Sequence, residues 1–144
     1  MTTIAANLNE MAGDSFLTDG HRTSKIFRIP KVGLVGYAGD AFYGMALIKW
    51  LSEGERGPAP MWDEAKIEDT TLLILDTKGL WTMNARGIRI PEAHAWAGIG
   101  AGSDYAVGAM ANGASPLRAV EIASMYDPDT KPPFTIFSLK PRRR

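Results

Sequence analysis

Gly33-Leu34-Val35-Gly36-Tyr37-Ala38-Gly39-Asp40-Ala41 changes its period partway along. Up to Ala38 it is an apolar run of strand length. After Gly39, Asp40 stands where a helix cap belongs, and Phe42, Met45, Ala46, Ile48 and Leu51 give residues 40–51 an apolar helical face. A strand that passes through glycine straight into a capped helix is a βα junction. Upstream, Ser24-Lys25-Ile26-Phe27-Arg28-Ile29 alternates like a strand, carries a lysine, and is stopped by Pro30-Lys31.

The same reading extends outward in both directions. Thr2–Asn7 is a short strand, Leu8-Asn9 suits a turn, and Glu10–Ala12 returns antiparallel, with Gly13-Asp14-Ser15 as a turn or strand end. Residues 54–60 hold too much Gly and Pro for a regular element. Thr70–Leu75 and Leu80–Asn84 form a hairpin about Asp76–Gly79, and Ile88-Arg89-Ile90 is a short strand ended by Pro91. Ala95–Ile99 leads into Gly100-Ala101-Gly102, after which Ser103 opens a helix that stops at Gly113. Ser115-Pro116 supplies a cap and a first helical position for another helix to Met125, and Phe134–Leu139 is the last strand. There is no internal repeat. Strand clusters separated by paired helices predict an α+β fold, a sandwich of antiparallel sheets with helices outside.

Composition limits the function. A chain of 144 residues fits one domain spanning residues 1–144. Basic and acidic residues balance at 16 each, so no bulk field favours nucleic acid or a membrane surface. Lys140-Pro141-Arg142-Arg143-Arg144 is a basic tail, read as a solvated end. With no cysteine, disulfides, thiolate metal sites and thiol catalysis are excluded. No apolar run is long enough to span a bilayer, and the first residues lack a signal-peptide layout, which places the protein in the cytoplasm by expectation.

The chain starts Met1-Thr2-Thr3-Ile4. Thr2 is small enough for the initiator methionine to be trimmed. Trimming would leave a hydroxyl and a free α-amine on one residue, and an α-amine titrating near pH ~8 can serve as that hydroxyl's base.

Four segments taken in order carry a family resemblance: Thr2-Thr3-Ile4, Ala12-Gly13-Asp14-Ser15, Ser24–Ile29 with its Lys25, and Val35-Gly36-Tyr37-Ala38-Gly39-Asp40-Ala41. The chain resembles the β-type subunits of the proteasome and their bacterial relative HslV, which are N-terminal-nucleophile hydrolases. It is most similar to compact proteasome-like proteins encoded in phage and bacterial genomes. Ile99-Gly100-Ala101-Gly102-Ser103-Asp104-Tyr105-Ala106 is similar to the Gly-Ser-Gly stretch of that family. The resemblance implies a four-layer αββα sandwich and a threonine-type endopeptidase. It also implies a self-compartmentalising homo-oligomer, with a ring expected, that acts on unfolded polypeptide. An ATP-dependent unfoldase is the partner that would feed it.

It implies roles as well. Thr2 would be the nucleophile and Lys25 the adjacent cation, with Asp14 the carboxylate holding that lysine. Gly36 would be the backbone donor to the oxyanion. Thr18 and Gly36 would hydrogen-bond the substrate backbone as an added strand, and Leu17, Leu34 and Ala38 would line a pocket that favours apolar residues before the cleaved bond. The family's Gly-Ser-Gly serine is Ala101 here, so Ser103 is the nearby candidate hydroxyl, and Asp127 and Thr130 match the carboxylate and hydroxyl before the last strand. Residues 53–68 are too short and too rich in Gly and Pro for the family's full second helix. No metal or organic cofactor is implied, because nucleophile and base share one residue.

Other classes are less well supported. Gly98-Ile99-Gly100-Ala101-Gly102 with Glu121 lacks the dinucleotide-binding spacing. Ser103 with His21 or His94 and Asp127 lacks the nucleophile elbow of a Ser-His-Asp hydrolase. The remaining alternative is a catalytically inactive proteasome-fold scaffold or interaction protein.

Overall fold

The computed structural model describes residues 2–15, 23–61 and 69–140. Nine strands and three helices follow in chain order among these residues: β1 (Thr3–Asn7), β2 (Glu10–Asp14), β3 (Ile26–Ile29), β4 (Gly33–Ala38), α1 (Ala41–Ser52), β5 (Thr71–Asp76), β6 (Gly79–Asn84), β7 (Arg89–Pro91), β8 (Trp96–Gly100), α2 (Ser103–Ala111), α3 (Pro116–Tyr126) and β9 (Phe134–Ser138). They build two antiparallel sheets. The order is β8-β1-β2-β9 in sheet I and β3-β4-β5-β6-β7 in sheet II.

Strand alternation sets the layers. In sheet II, Val35, Tyr37, Leu72 and Ile74 face α1 and pack on its Tyr43, Leu47, Ile48 and Leu51. Their neighbours Leu34, Leu73 and Leu75 point the other way and meet Ile4, Ala6 and Met11 of sheet I. The alternate residues of sheet I, Ala5 and Ala12, lie under Ala106 and Met110 of α2 and Ala119, Val120 and Ala123 of α3. The result is α1, sheet II, sheet I, then α2 with α3, which is the expected αββα order.

Two local expectations need correction. The first concerns β2, which does not stop at Ala12. It runs to Asp14, with Gly13 opposite Ile4 and Thr135 and Asp14 opposite Phe134. Pairing on both sides carries the strand through a Gly-Asp sequence that reads locally as a turn.

The second concerns α1, whose buried face is Tyr43, Gly44, Leu47, Ile48 and Leu51, whereas Phe42 is 76% and Met45 is 43% exposed. Gly44 lies so close to the Tyr37 ring that a Cβ there would sit 2.6 Å from it. A glycine at the centre of a face is invisible to a hydrophobic pattern, so the apparent stripe was rotated. The Asp40 cap itself is as expected, with its carboxylate accepting from Tyr43 N–H at 2.8 Å.

α2 opens at Ser103 as expected, capped by Gly102 with no side-chain cap bond. Ser115 does cap α3, accepting from Arg118 N–H at 3.2 Å.

Candidate active site

β1 is flanked on both sides, by β8 and β2, and its first residues lie at one end of sheet I. Thr2 and Thr3 are both buried there. The peptide group that joins them is held at both ends. The Thr2 carbonyl accepts from Ala101 N–H at 2.9 Å, and Thr3 N–H donates to Asp14 Oδ1 at 3.1 Å. A trans peptide is planar, so two hydrogen bonds on opposite edges fix its plane and hence the direction in which Thr2 leaves it.

Gly100 makes the first of those bonds possible. It pairs with Thr3 in the β1–β8 ladder, its φ is +96°, and a Cβ on it would lie 1.7 Å from the Thr2 carbonyl oxygen. Gly100→Ala therefore combines a disfavoured backbone region with a hard clash, and urea denaturation should record a loss of more than about 2 kcal/mol. Gly108→Ala is the control. Gly108 lies inside α2 with open space around it, so the same change should stabilise by about 0.5–1 kcal/mol through helix propensity.

Asp14 gathers three donors. Besides Thr3 N–H, its Oδ1 accepts from Lys25 Nζ at 3.4 Å and its Oδ2 from Lys131 N–H at 3.4 Å. The Lys25–Asp14 ion pair is fully buried at both side chains. Burial pushes the Asp14 carboxyl above its ordinary value, against the pull of the Lys25 charge and the Thr3 and Lys131 amides. Burial likewise pushes the Lys25 ammonium below its ordinary value, opposed by Asp14. Both groups have been stripped of water, and each is the other's main electrostatic compensation.

Asp127 and Thr130 reach the site from the far end of α3. The Thr130 hydroxyl donates to Asp127 Oδ2 at 2.5 Å, and the Thr3 and Thr130 hydroxyl oxygens lie 2.6 Å apart. Since Thr130 spends its proton on the carboxylate, Thr3 is the donor between the two hydroxyls. Gly102 N–H in turn donates to Thr3 Oγ1 at 2.9 Å. A chain of hydrogen bonds thus runs from the α2 cap through Thr3 and Thr130 to Asp127.

The residues expected at the site divide as follows. Asp14 and Thr130 both bond Thr3, the neighbour of Thr2, with Lys25 joined through Asp14 and Asp127 through Thr130. Ala38 lies with Thr2, Gly39, Asp69, Thr71, Gly100 and Ala101 on the wall of a cleft of about 240 Å³. Leu34 does not line it, being wholly buried between the sheets. Gly36 is also misplaced by the sequence reading. Tyr37 N–H points to β3, donating to Lys25 O at 3.1 Å. Alternation therefore turns Gly36 N–H toward β5, where Leu73 is its ladder partner. Its open Cα face meets Ile4 and Met11 in the core. From the Gly100–Gly102 turn it is Gly102 N–H, rather than the Ser103 hydroxyl, that joins the network. Leu17, Thr18, His21, residues 62–68 and residues 141–144 lie outside the described residues. Among the described residues no group of three or more His, Cys, Asp or Glu is placed to hold a metal ion.

Thr3, Gly39, Gly100 and Gly102 were missed from sequence. The Thr2-Thr3 doublet was the available signal. Consecutive strand residues face opposite sides, so one threonine can look into the cleft while the other looks toward α2 and α3.

Two antiparallel sheets between helices are the fold found in the proteasome-type N-terminal-nucleophile hydrolases. Solved structures bear this out. HslV from Trypanosoma brucei superposes with a TM-score of 0.76 at 20% identity, covering 96% of this chain and 99% of that one. BPH from Thiobacillus denitrificans in complex with epoxomicin gives 0.66 at 17% identity, with 97% and 99% covered. An Anbu (Gly-1) mutant from Hyphomicrobium sp. strain MC1 gives 0.67 at 13% identity, with 96% and 81% covered. At these identities the likeness is one of fold. No protein-family model and no curated protein matches the chain. No helix among the described residues is long and apolar enough to cross a membrane.

Proposed function

We propose that the mature protein is a threonine-type endopeptidase whose nucleophile is Thr2, exposed by removal of Met1. The observation that carries this is the clamped peptide of Thr2 at the cleft, one residue from the buried Lys25–Asp14 pair.

The Thr2 hydroxyl oxygen attacks the carbonyl carbon of a bound peptide, and its proton passes to the α-amine of the same residue. The Lys25 cation favours the deprotonated forms of both groups. Gly39, on the cleft wall with Thr2, supplies the backbone donor for the oxyanion. The tetrahedral adduct collapses to an ester on Thr2, the C–N bond breaks, and the leaving amine takes the proton. Water then hydrolyses the ester and frees Thr2. Such a backbone donor contributes on the order of 3 kcal/mol in the transition state.

Assembly into a ring-like homo-oligomer belongs to the same reading. It is supported by large apolar side chains left exposed on the two outer layers: Phe42 and Met45 on α1, and Tyr105, Met125 and Tyr126 on α2 and α3. Enclosure would restrict cleavage to unfolded polypeptide, and an ATP-driven unfoldase would be a natural supplier.

The test joins intact-mass spectrometry to labelling. Purified protein should lack Met1, and epoxomicin should leave an adduct that maps to Thr2. Light scattering should give a particle several times the 15.6 kDa chain. Uniform retention of Met1 with no adduct would leave the inactive scaffold as the better reading.

A further inference from the structure

We infer that Thr3 is the positioning residue of this site, the point through which both buried carboxylates act on Thr2; this rests on the endopeptidase reading above. Every polar group of Thr3 next to the Thr2 peptide is committed. Its N–H goes to Asp14 at 3.1 Å, and its hydroxyl accepts from Gly102 N–H at 2.9 Å and donates to Thr130 at 2.6 Å. Thr130 passes the link to Asp127 at 2.5 Å. Thr3 is wholly buried, so no water competes for these bonds.

The hydroxyl has a specific task. It ties β1 to the Gly100–Gly102 turn, and Ala101 of that same turn holds the Thr2 carbonyl. The two bonds from consecutive amides, Ala101 N–H to Thr2 and Gly102 N–H to Thr3, anchor one turn to two consecutive residues. Removing the Thr3 hydroxyl deletes one anchor, leaves Gly102 N–H without its acceptor, and frees the turn to shift against Thr2. Asp127 and Thr130 then have no route to the nucleophile's backbone. In this arrangement the two residues orient Thr2 through Thr3.

Thr3→Val removes the hydroxyl at nearly constant volume, and Thr3→Ser keeps it. Both leave Thr2 and the Met1 cleavage context intact. With a leucine-containing fluorogenic peptide, Thr3→Val should lower kcat by about a hundredfold with KM within about twofold, the cost expected of a nucleophile misplaced by about an ångström. Thr3→Ser should restore at least about a third of the wild-type kcat, since the hydrogen-bonding atom is back. Crystals of the two variants should show Thr2 displaced in the valine protein and in its original place in the serine protein. Equal kcat for the valine variant and the wild type would overturn the inference, as would an unmoved Thr2 in the valine crystal. A wild type without turnover would end the endopeptidase reading instead, and the crystallographic comparison alone would then decide the role of Thr3.

Discussion

Thr2→Ala should abolish peptide turnover, lowering kcat by at least about a thousandfold, the scale expected when a covalent nucleophile is removed. The substitution separates two things that position 2 controls. Alanine, like threonine, is small enough for the trimming of Met1, so the variant should still expose its α-amine; only the hydroxyl is gone. The fold should be almost indifferent. β1 begins at Thr3, and the bond that Thr2 gives the framework comes from its carbonyl, which alanine keeps. A melting temperature within a few degrees of wild type, the same particle size, and no epoxomicin adduct complete the expected result. Thr2→Ser, which restores a hydroxyl on a small residue, should recover turnover measurable above the alanine background. Full turnover by the alanine protein would show that the hydroxyl is a bystander.

The sequence carried the layers but not the orientation of single groups within them. The 33–41 stretch was legible because alternation, a glycine and an Asp40 cap all pointed the same way, and the cap bond to Tyr43 is present. Lys25 and Asp14, 11 residues apart, were legible as a pair only through the order of the surrounding segments; singly, each passes for a solvated or turn residue. Leu34 and Gly36 were lost to parity. Which side of β4 faces the core, and which way each N–H points, depends on the register with β3 and β5, and a one-residue difference reverses both. Gly39, three residues on from Gly36, is past the end of the strand and so escapes the ladder that occupies Gly36. Thr3 was hidden for another reason. Its partners Asp14, Gly102 and Thr130 are brought to it by three separate elements, and no local spacing encodes that meeting.

Lys25→Met should cost about 3–5 kcal/mol of stability at neutral pH, because it leaves a buried carboxylate without its counter-charge. Asp14 would retain the Thr3 and Lys131 amides as donors, which soften the loss without neutralising the charge. Against a typical total stability of about 5–15 kcal/mol the variant should still fold. Its pH dependence identifies the cause. Burial already holds the Asp14 carboxyl above its usual 3.8, and the Lys25 charge is the strongest of the influences that draw it back down. Without Lys25 the folded-state value rises further, so in the window above 3.8 the folded protein binds more protons than the unfolded one. Stability then increases as pH falls through that window and decreases as pH rises through it. Urea midpoints should place the variant closer to wild type at pH ~5 than at pH ~7.5, the reverse of ordinary acid destabilisation. Asp14→Asn in the same background removes the stranded charge while keeping an acceptor for Thr3 N–H, and should recover part of the loss. Turnover should not recover with it, since under the proposed mechanism neither protein has the cation that would favour a deprotonated Thr2. Stability regained without activity would separate the framework role of this ion pair from its chemical one. An active Lys25→Met protein would show that Thr2 works without the ammonium, and would leave burial of the pair as a matter of folding alone.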